Sequence, residues 1–297
     1  MRPQHITAIV MLIILFSCKK ETKTNHTAPL FSLKELYDQK LYDDIDNLPK
    51  NLDSVYRLDL SNQNLTEIPA IVSKLTNLQE LDLSKNWISD LTVIENLHNL
   101  QILNIGANNF QNLPTEIINF KKLKILQLWW TDIKTFPNDF FTSNTLIEEL
   151  DMTSMTEFDF KNNLDKIHLF KQLRRLNIGN NPIPELNIQF DKMDNLEELG
   201  YIRQQKIDIK ELCLKLAGCK NLKIIHLSDN NISALPKEIL LLKKLEELNL
   251  FQNKVKVLPS YIAKMENIKK ITLIDNPVDE PKIEIIERLM PNTTIIY

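Results

Sequence analysis

The stretch Leu222-Lys223-Ile224-Ile225-His226-Leu227-Ser228-Asp229-Asn230-Asn231-Ile232-Ser233-Ala234-Leu235-Pro236 is followed, with first positions 23 residues apart, by Leu245-Glu246-Glu247-Leu248-Asn249-Leu250-Phe251-Gln252-Asn253-Lys254-Val255-Lys256-Val257-Leu258-Pro259. Apolar residues stand at positions 1, 4, 6, 11 and 14 of both, Asn at position 9 and Pro after position 14. Traced outward, the same sentence, L-x-x-L-x-L-x-x-N-x-L-x-x-L-P, starts ten times, at Val55, Leu78, Leu100, Leu123, Ile147, Leu173, Leu196, Leu222, Leu245 and Ile268. A length of 297 residues alone suggests two domains, but a repeat overrides that prior, because stacked units share one continuous core.

Alternation across positions 4 to 6 is a strand signal, with every second side chain facing one side. One such unit cannot close its own core, whereas a stack can. Position 9 is Asn in six units, Asn86, Asn108, Asn181, Asn230, Asn253 and Asn276. An amide buried at a turn pairs with backbone groups that a Leu there would leave unsatisfied. Pro69, Pro114, Pro137, Pro236 and Pro259 then break the chain into its return path, and residues such as Lys237-Glu238-Ile239 suit a short helical turn on the outer face.

These residues resemble the leucine-rich repeat family, in the variant where the motif continues L-P-x-x-I-x-x-L. The resemblance implies an α/β repeat fold: a right-handed solenoid of ten repeats with a parallel β-sheet on its concave face, where ligands are gripped. Units five and seven depart from the pattern. They run to 26 residues and carry Met155 and Gln204 at position 9. Leu164–Leu173 and Ile209–Cys219 read as fuller helices on the outer face, and Lys215-Leu216-Ala217-Gly218-Cys219 resembles the family's cysteine-containing variant.

Both ends read as caps, which a soluble solenoid needs. Ser32-Leu33-Lys34-Glu35 forms a capping box, with Phe31 and Leu36 placed for a hydrophobic staple; a helix from about Leu33 to Ile45 is expected to cover the first rung. Pro281 is placed to open a helix through Leu289, and Thr294–Tyr297 to add a closing strand. Before the first cap, Arg2 and His5 precede an apolar run from Ile6 to Phe16. Eleven residues are too few to span a bilayer core of roughly 30 Å, which favours a signal peptide over a transmembrane helix. Leu15-Phe16-Ser17-Cys18 resembles the lipobox of a bacterial lipoprotein, which implies cleavage after Ser17 and a lipid on Cys18. Cys18-Lys19-Lys20-Glu21 resembles the charged export signals of surface lipoproteins of the Bacteroidetes, implying an outer-membrane and cell-surface location. The expected organisation is a signal peptide over residues 1–17, a polar tether over 18–30, an N-terminal helical cap over 31–54, repeats over 55–277 and a C-terminal cap over 278–297. A flexible tether of that length spans on the order of 20 Å.

Composition narrows the function. A net charge of −3 provides no basic field for nucleic acid. Only four glycines occur, and there is no P-loop, no H-E-x-x-H and no G-x-S-x-G. Cys213 and Cys219, six residues apart on one helix, have Cα atoms roughly 9 Å apart, beyond the ~7 Å reach of a disulfide. Buried thiols are expected, and no His stands at ligand spacing for zinc. The expectation is a monomeric binding module rather than an enzyme, with no cofactor and no metal.

The concave face is readable because positions 2, 3, 5, 7 and 8 point into it or rim it. From unit five, positions 2 and 3 read Glu148-Glu149, Arg174-Arg175, Glu197-Glu198, Lys223-Ile224, Glu246-Glu247 and Lys269-Lys270. Strands lie about 4.8 Å apart, so opposite charges alternate rung by rung. They are either a charged binding strip or cross-strand pairs that satisfy one another; the second is the better reading, and the absence of a single-sign stripe again disfavours nucleic acid. Units three and four differ. Ile102 and Ile125 fill position 3, Gln127 position 5, and Trp129-Trp130 positions 7 and 8, beside the small residues Gly106-Ala107 and Thr153-Ser154. Exposed indoles are hot-spot residues and also stack on sugars; the alternative is that both rings lie flat over their small neighbours. A secondary patch joins Ile202, Phe251 and Ile274, all at position 7, to His226. Trp87 at position 10 of unit two is expected to pack at its turn. The leading function is capture of a protein or peptide on the concave face of a protein held to the membrane through the lipid on Cys18. Carbohydrate binding or adhesion is the alternative, and a structural envelope role without a single ligand is the third.

Overall fold

In every unit the residues at positions 3 to 5 form a strand: β2 (Arg57–Asp59), β3 (Glu80–Asp82), β4 (Ile102–Asn104), β5 (Ile125–Gln127), β6 (Glu149–Asp151), β7 (Arg175–Asn177), β8 (Glu198–Gly200), β9 (Ile224–His226), β10 (Glu247–Asn249) and β11 (Lys270–Thr272). β1 (Leu41–Tyr42) and β12 (Thr294–Ile296) extend the row at its two ends. The twelve strands form one sheet in chain order. All are parallel and in register, so Leu248 stands between Ile225 and Ile271. The chain is thus a leucine-rich-repeat solenoid, as the resemblance implies. The computed structural model describes residues 29–204 and 207–297; the expected signal peptide, Cys18 and the expected tether as far as residue 28 lie outside the described residues. No helix among the described residues is long and apolar enough to cross a membrane.

The inward positions fill one continuous core that runs the length of the stack. In unit nine Leu245, Leu248, Leu250, Val255 and Leu258 are all buried. After position 14, Pro69, Pro114, Pro236 and Pro259 each open a 3-10 turn, for instance Lys237–Leu241 after Pro236. The missing N–H of Pro costs nothing at such a start, where the first donors are unpaired in any case.

The position-9 asparagines do what their spacing predicts. Asn253 Nδ2 donates to the carbonyls of Leu227 and Leu250, both at 2.9 Å, while its Oδ1 accepts from the N–H groups of Asn230 and Ile232, both at 3.0 Å. One side chain therefore satisfies backbone groups of two units. In unit seven Gln204 takes over part of this work, donating to Ile178 O at 3.3 Å and Ile202 O at 3.1 Å. In unit five Met155 only fills space, fully buried. Position 8 has positive φ in every unit, from Asn62 at 57° to Asp275 at 58°, with no Gly among them. In the first nine units its N–H reaches the position-7 carbonyl of the next unit, as Trp130 N does to Thr153 O at 2.8 Å, and this bond helps hold the strained residue in place.

The ends differ in part from expectation. The N-terminal helix α1 spans only Leu33–Tyr37, with the capping box formed as predicted. It stops because Arg57 ties down its end, donating from Nη1 to the carbonyls of Tyr37 at 2.9 Å and Gln39 at 3.2 Å. The chain then pairs β1 with the otherwise open edge of β2. The first rung is therefore covered by a strand and not by the helix. On the outer face, Phe140–Ser143 (α2) in unit four and Phe160–Asn163 (α3) in unit five are single turns, and the fuller helix expected after Leu164 is a 3-10 segment, Leu164–Leu169. Phe136, Phe140, Phe141, Phe158 and Phe170 interlock beneath these turns. Ile209–Leu216 is a true helix, α4, and Cys213 and Cys219 are free and buried, which pushes both thiols up to about 12. At the far end α5 runs over Glu280–Leu289, with Pro281 in its first turn, and β12 closes the sheet.

Candidate functional site

The concave face divides into a covered half and an open half. Over units one to four the cover is the chain's own residues 29–37. Gln79 and Gln101, at position 2 of units two and three, are fully buried beneath it. Gln79 grips the segment by its backbone, accepting from Phe31 N at 3.0 Å and donating to Pro29 O at 2.8 Å. Gln101 Nε2 donates to Phe31 O and to Gln79 Oε1, both at 2.8 Å. Phe31 stands edge-on to Tyr56 at 4.9 Å between ring centroids. Leu36 then drops from α1 onto Ile102 and Ile125, making a small apolar cluster separate from the main core. The predicted contact residues Ile102 and Ile125 are accordingly only 8% and 5% exposed.

The open half begins where this strap ends. A cavity of about 180 Å³ lies across β5 to β9, lined among others by Gln127, Asp151, Arg175, Glu198, Ile202 and His226. Its floor is a polar string. Arg175 lies between Glu149 at 2.5 Å and Glu198 at 3.4 Å, and Glu198 meets His226 Nε2 at 3.1 Å. The hydrogen bond from His226, the largest influence, together with the nearby Arg175 charge outweighs burial and holds the Glu198 carboxyl below the usual range. A second string runs along position 2. Arg174 reaches Glu197 at 3.3 Å and Glu148 at 3.9 Å, and Lys223 reaches Glu197 at 3.3 Å. Burial pushes the Glu197 carboxyl up, but Arg174 and Lys223 together bring it below its ordinary value. Lys269–Glu246 at 2.6 Å and Lys270–Glu247 at 4.0 Å continue the alternation.

Within the strands, position 5 is committed to structure. Asp59, Asp82, Asn104, Asp151, Asn177 and Asn249 each accept the N–H of their own position 7, at 2.8–3.2 Å. These side chains fix the exit from each strand.

Glycines mark where a neighbour leans over. A Cβ on Gly106 would come within 2.5 Å of Trp129 Cε2, so the Trp129 ring lies flat on the next strand's glycine. Ile202 lies on Gly179 in the same manner. The two tryptophans therefore separate: Trp129 is half-buried packing, while Trp130, at positive φ, is 72% exposed on the rim. Trp87, expected to pack at its turn, is 57% exposed instead. Of the predicted site residues, Ile125, Gln127, Ile202 and His226 meet around one cavity. Phe251 is half-buried and Ile274 is 40% exposed on the rungs beyond. Among the described residues no group of three or more His, Cys, Asp or Glu side chains is arranged to hold a metal.

The strap and its two glutamines escaped the reading of the sequence, although a signal was there. Position 2 is charged in units four to ten but reads Tyr56, Gln79, Gln101 in the first three, and position 3 turns apolar at Ile102 and Ile125. Uncharged polar and apolar residues on an otherwise charged face mark a covered surface.

Residues 53–110 and 218–278 match the family model described as Leucine rich repeat. The chain is 28% identical over 208 residues to the transforming growth factor beta activator LRRC33 of Danio rerio. That alignment takes in 62% of this chain but spans only 28% of the relative's length. Among solved structures, internalin C2 of Listeria monocytogenes is similar with a TM-score of 0.53 and 28% identity, over 65% of this chain and 80% of that one. The internalin inlF of the same organism gives a TM-score of 0.51 at 19% identity, over 82% of this chain and 81% of that one. These likenesses agree with the solenoid described above.

Proposed function

We propose that this chain is a membrane-anchored binding module that captures a protein or peptide on the open half of its concave face. The observation that carries the reading is the mixed character of that face. Over β5 to β11 it offers both signs of charge, the amide of Gln127 and apolar ground at Ile202 around one cavity, with Phe251 on the rungs beyond. Protein surfaces present that mixture, whereas nucleic acid calls for a single positive stripe. The ion pairs already satisfy one another, so a partner is held by the groups between them. The Danio rerio relative is named for activating a protein growth factor, which points the same way. In this reading Cys18 carries the lipid and places the module on a bacterial outer membrane, facing the cell surface.

The test is site-specific photo-cross-linking in the producing cell. A photo-reactive residue at Gln127, which lines the cavity, is expected to give a discrete protein adduct, and the same residue at the exposed outer-face Leu241 is expected to give none. Adducts from both positions, or from Leu241 alone, sink the concave-face reading. A glycan adduct at Gln127 establishes carbohydrate capture instead. For the anchor, Cys18→Ser is expected to leave the protein without labelled fatty acid and outside the membrane fraction; a variant that still partitions with membranes refutes lipidation there.

A further inference from the structure

The geometry points to the covered half of the concave face as a peptide-binding groove, with residues 29–37 of this same chain as its occupant. Its partner is a protein segment of the same chemistry: an extended arm with an aromatic residue, followed five residues on by a leucine in the first turn of a helix. This rests on the reading that the concave face binds protein.

Three features of the contact are those of ligand recognition. The first is that Gln79 and Gln101 read main chain. Together they satisfy the carbonyls of Pro29 and Phe31 and the N–H of Phe31, groups that any peptide presents. The second is that the side chains occupy defined ground. Phe31 meets Tyr56 edge-on, and Leu36 seats on Ile102 and Ile125. An aromatic and an aliphatic anchor on a buried amide clamp is how peptide grooves combine affinity with register. The third is that the cluster is separate from the main core. Leu103 and Leu126 of the same strands belong instead to the main core, fully buried on its side of the sheet. The strap covers the face without building it.

Removal of the strap would expose Ile102 and Ile125 and leave two amides open to water, on the same face as the cavity over β5 to β9. A competing segment must therefore displace residues 29–37. Its apparent affinity is reduced by the fraction of time the groove is free, which is at least about tenfold if the strap is docked nine-tenths of the time.

The experiment uses the full chain and a labelled synthetic peptide covering Pro29–Lys40. Leu36→Asp is designed to loosen the resident strap, with amide exchange at residues 31–37 reporting its release and circular dichroism the intact solenoid. The peptide is expected to bind Leu36→Asp at least about tenfold more tightly than the native chain, and to lose that binding when Ile102→Asp is added. Should Leu36→Asp fail to fold, Phe31→Ala with Leu36→Ala loosens the strap while leaving Gln79 and Gln101 in the groove. Exchange at residues 31–37 must then rise and the peptide must again bind more tightly than to the native chain. A peptide that binds neither chain, or both equally, overturns the assignment. Strap exchange between subunits of a native dimer overturns it too, by placing the occupant in trans. Cross-linking from Gln127 is a separate readout: if it persists while the peptide fails, the groove proposal falls alone and the concave-face reading stands.

Discussion

Reversing Arg174 and Arg175 to Glu asks whether the charge ladder is held by its own rungs or waits for a ligand. The two side chains make four contacts at 2.5–3.9 Å, to Glu148, Glu149, Glu197 and Glu198. Both arginines are about half exposed, 49% and 52%, so water screens each pair to roughly 0.2–1 kcal/mol. Losing four gives about 1–3 kcal/mol. Reversal adds repulsion at similar distances across three successive rungs, for about 2–4 kcal/mol in all. At a urea m-value of ~3 kcal/mol/M, suited to a chain of this size, the unfolding midpoint should fall by roughly 1 M. Glu148→Lys with Glu149→Lys in the reversed background should recover part of that, and 1 M salt, where the Debye length is about 3 Å, should shrink the loss severalfold. A double-mutant cycle with coupling under ~0.3 kcal/mol would refute the reasoning. The arginines would then be solvated independently, and the ladder would again be a candidate binding strip.

Three further outcomes follow from the same geometry. Asn253→Ala removes donors to Leu227 O and Leu250 O and acceptors for Asn230 N and Ile232 N; at 1–3 kcal/mol per buried group left unpaired, it should cost about 4 kcal/mol or more, read by urea denaturation. Trp129→Ala uncovers Gly106 and should cost about 1–2 kcal/mol, while the exposed Trp130→Ala stays within ~0.5 kcal/mol; equal losses in calorimetry would contradict the different roles assigned to the two rings. The carboxyls of Glu197 and Glu198 are held below the value of 4.5 they have when unperturbed. Their contribution to stability is complete above that value and is lost as pH falls through the depressed native one. The urea midpoint should hold constant above about pH 5.5 and decline in acid, less steeply in Glu198→Gln, and an unchanged slope in that variant would remove Glu198 from the account.

The stack itself was legible residue by residue because each consensus position answers one local demand. Leu at positions 1, 4 and 6 buries, Asn at 9 pairs backbone, and Pro after 14 starts the return. Those demands recur every rung, so a one-dimensional pattern carries a three-dimensional answer. The structure shows how the two departures answer that demand: Gln204 replaces an asparagine amide with its own, and Met155 replaces it with bulk alone. The positive φ at position 8 was not legible, since residues as different as Ala107, Trp130 and Arg203 occupy it. It accompanies a bond from its N–H to the following rung in the first nine units, a contact that no local propensity encodes.

The covered groove was illegible for a related reason. The capping box at Ser32 and the staple pair Phe31–Leu36 were read correctly as local chemistry, yet local chemistry specifies only that a helix starts. Where the helix docks is set by residues 50 to 70 positions away, Gln79 and Gln101, whose separation from the strap is recorded only in the folded chain. The same two facts explain why Ile102 and Ile125 read as a ligand site. Apolar residues at position 3 of a charged face mark an occupied surface, and in this structure the occupant is the chain's own residues 29–37. What remains for a partner is then decided by subtraction. The cavity from Gln127 to His226 is open as the chain stands, whereas the ground under Leu36 becomes available only to a segment that out-competes residues 29–37. The two halves of the concave face should therefore respond oppositely to Leu36→Asp: the open cavity should be nearly indifferent to it, and the groove over Ile102 should be created by it.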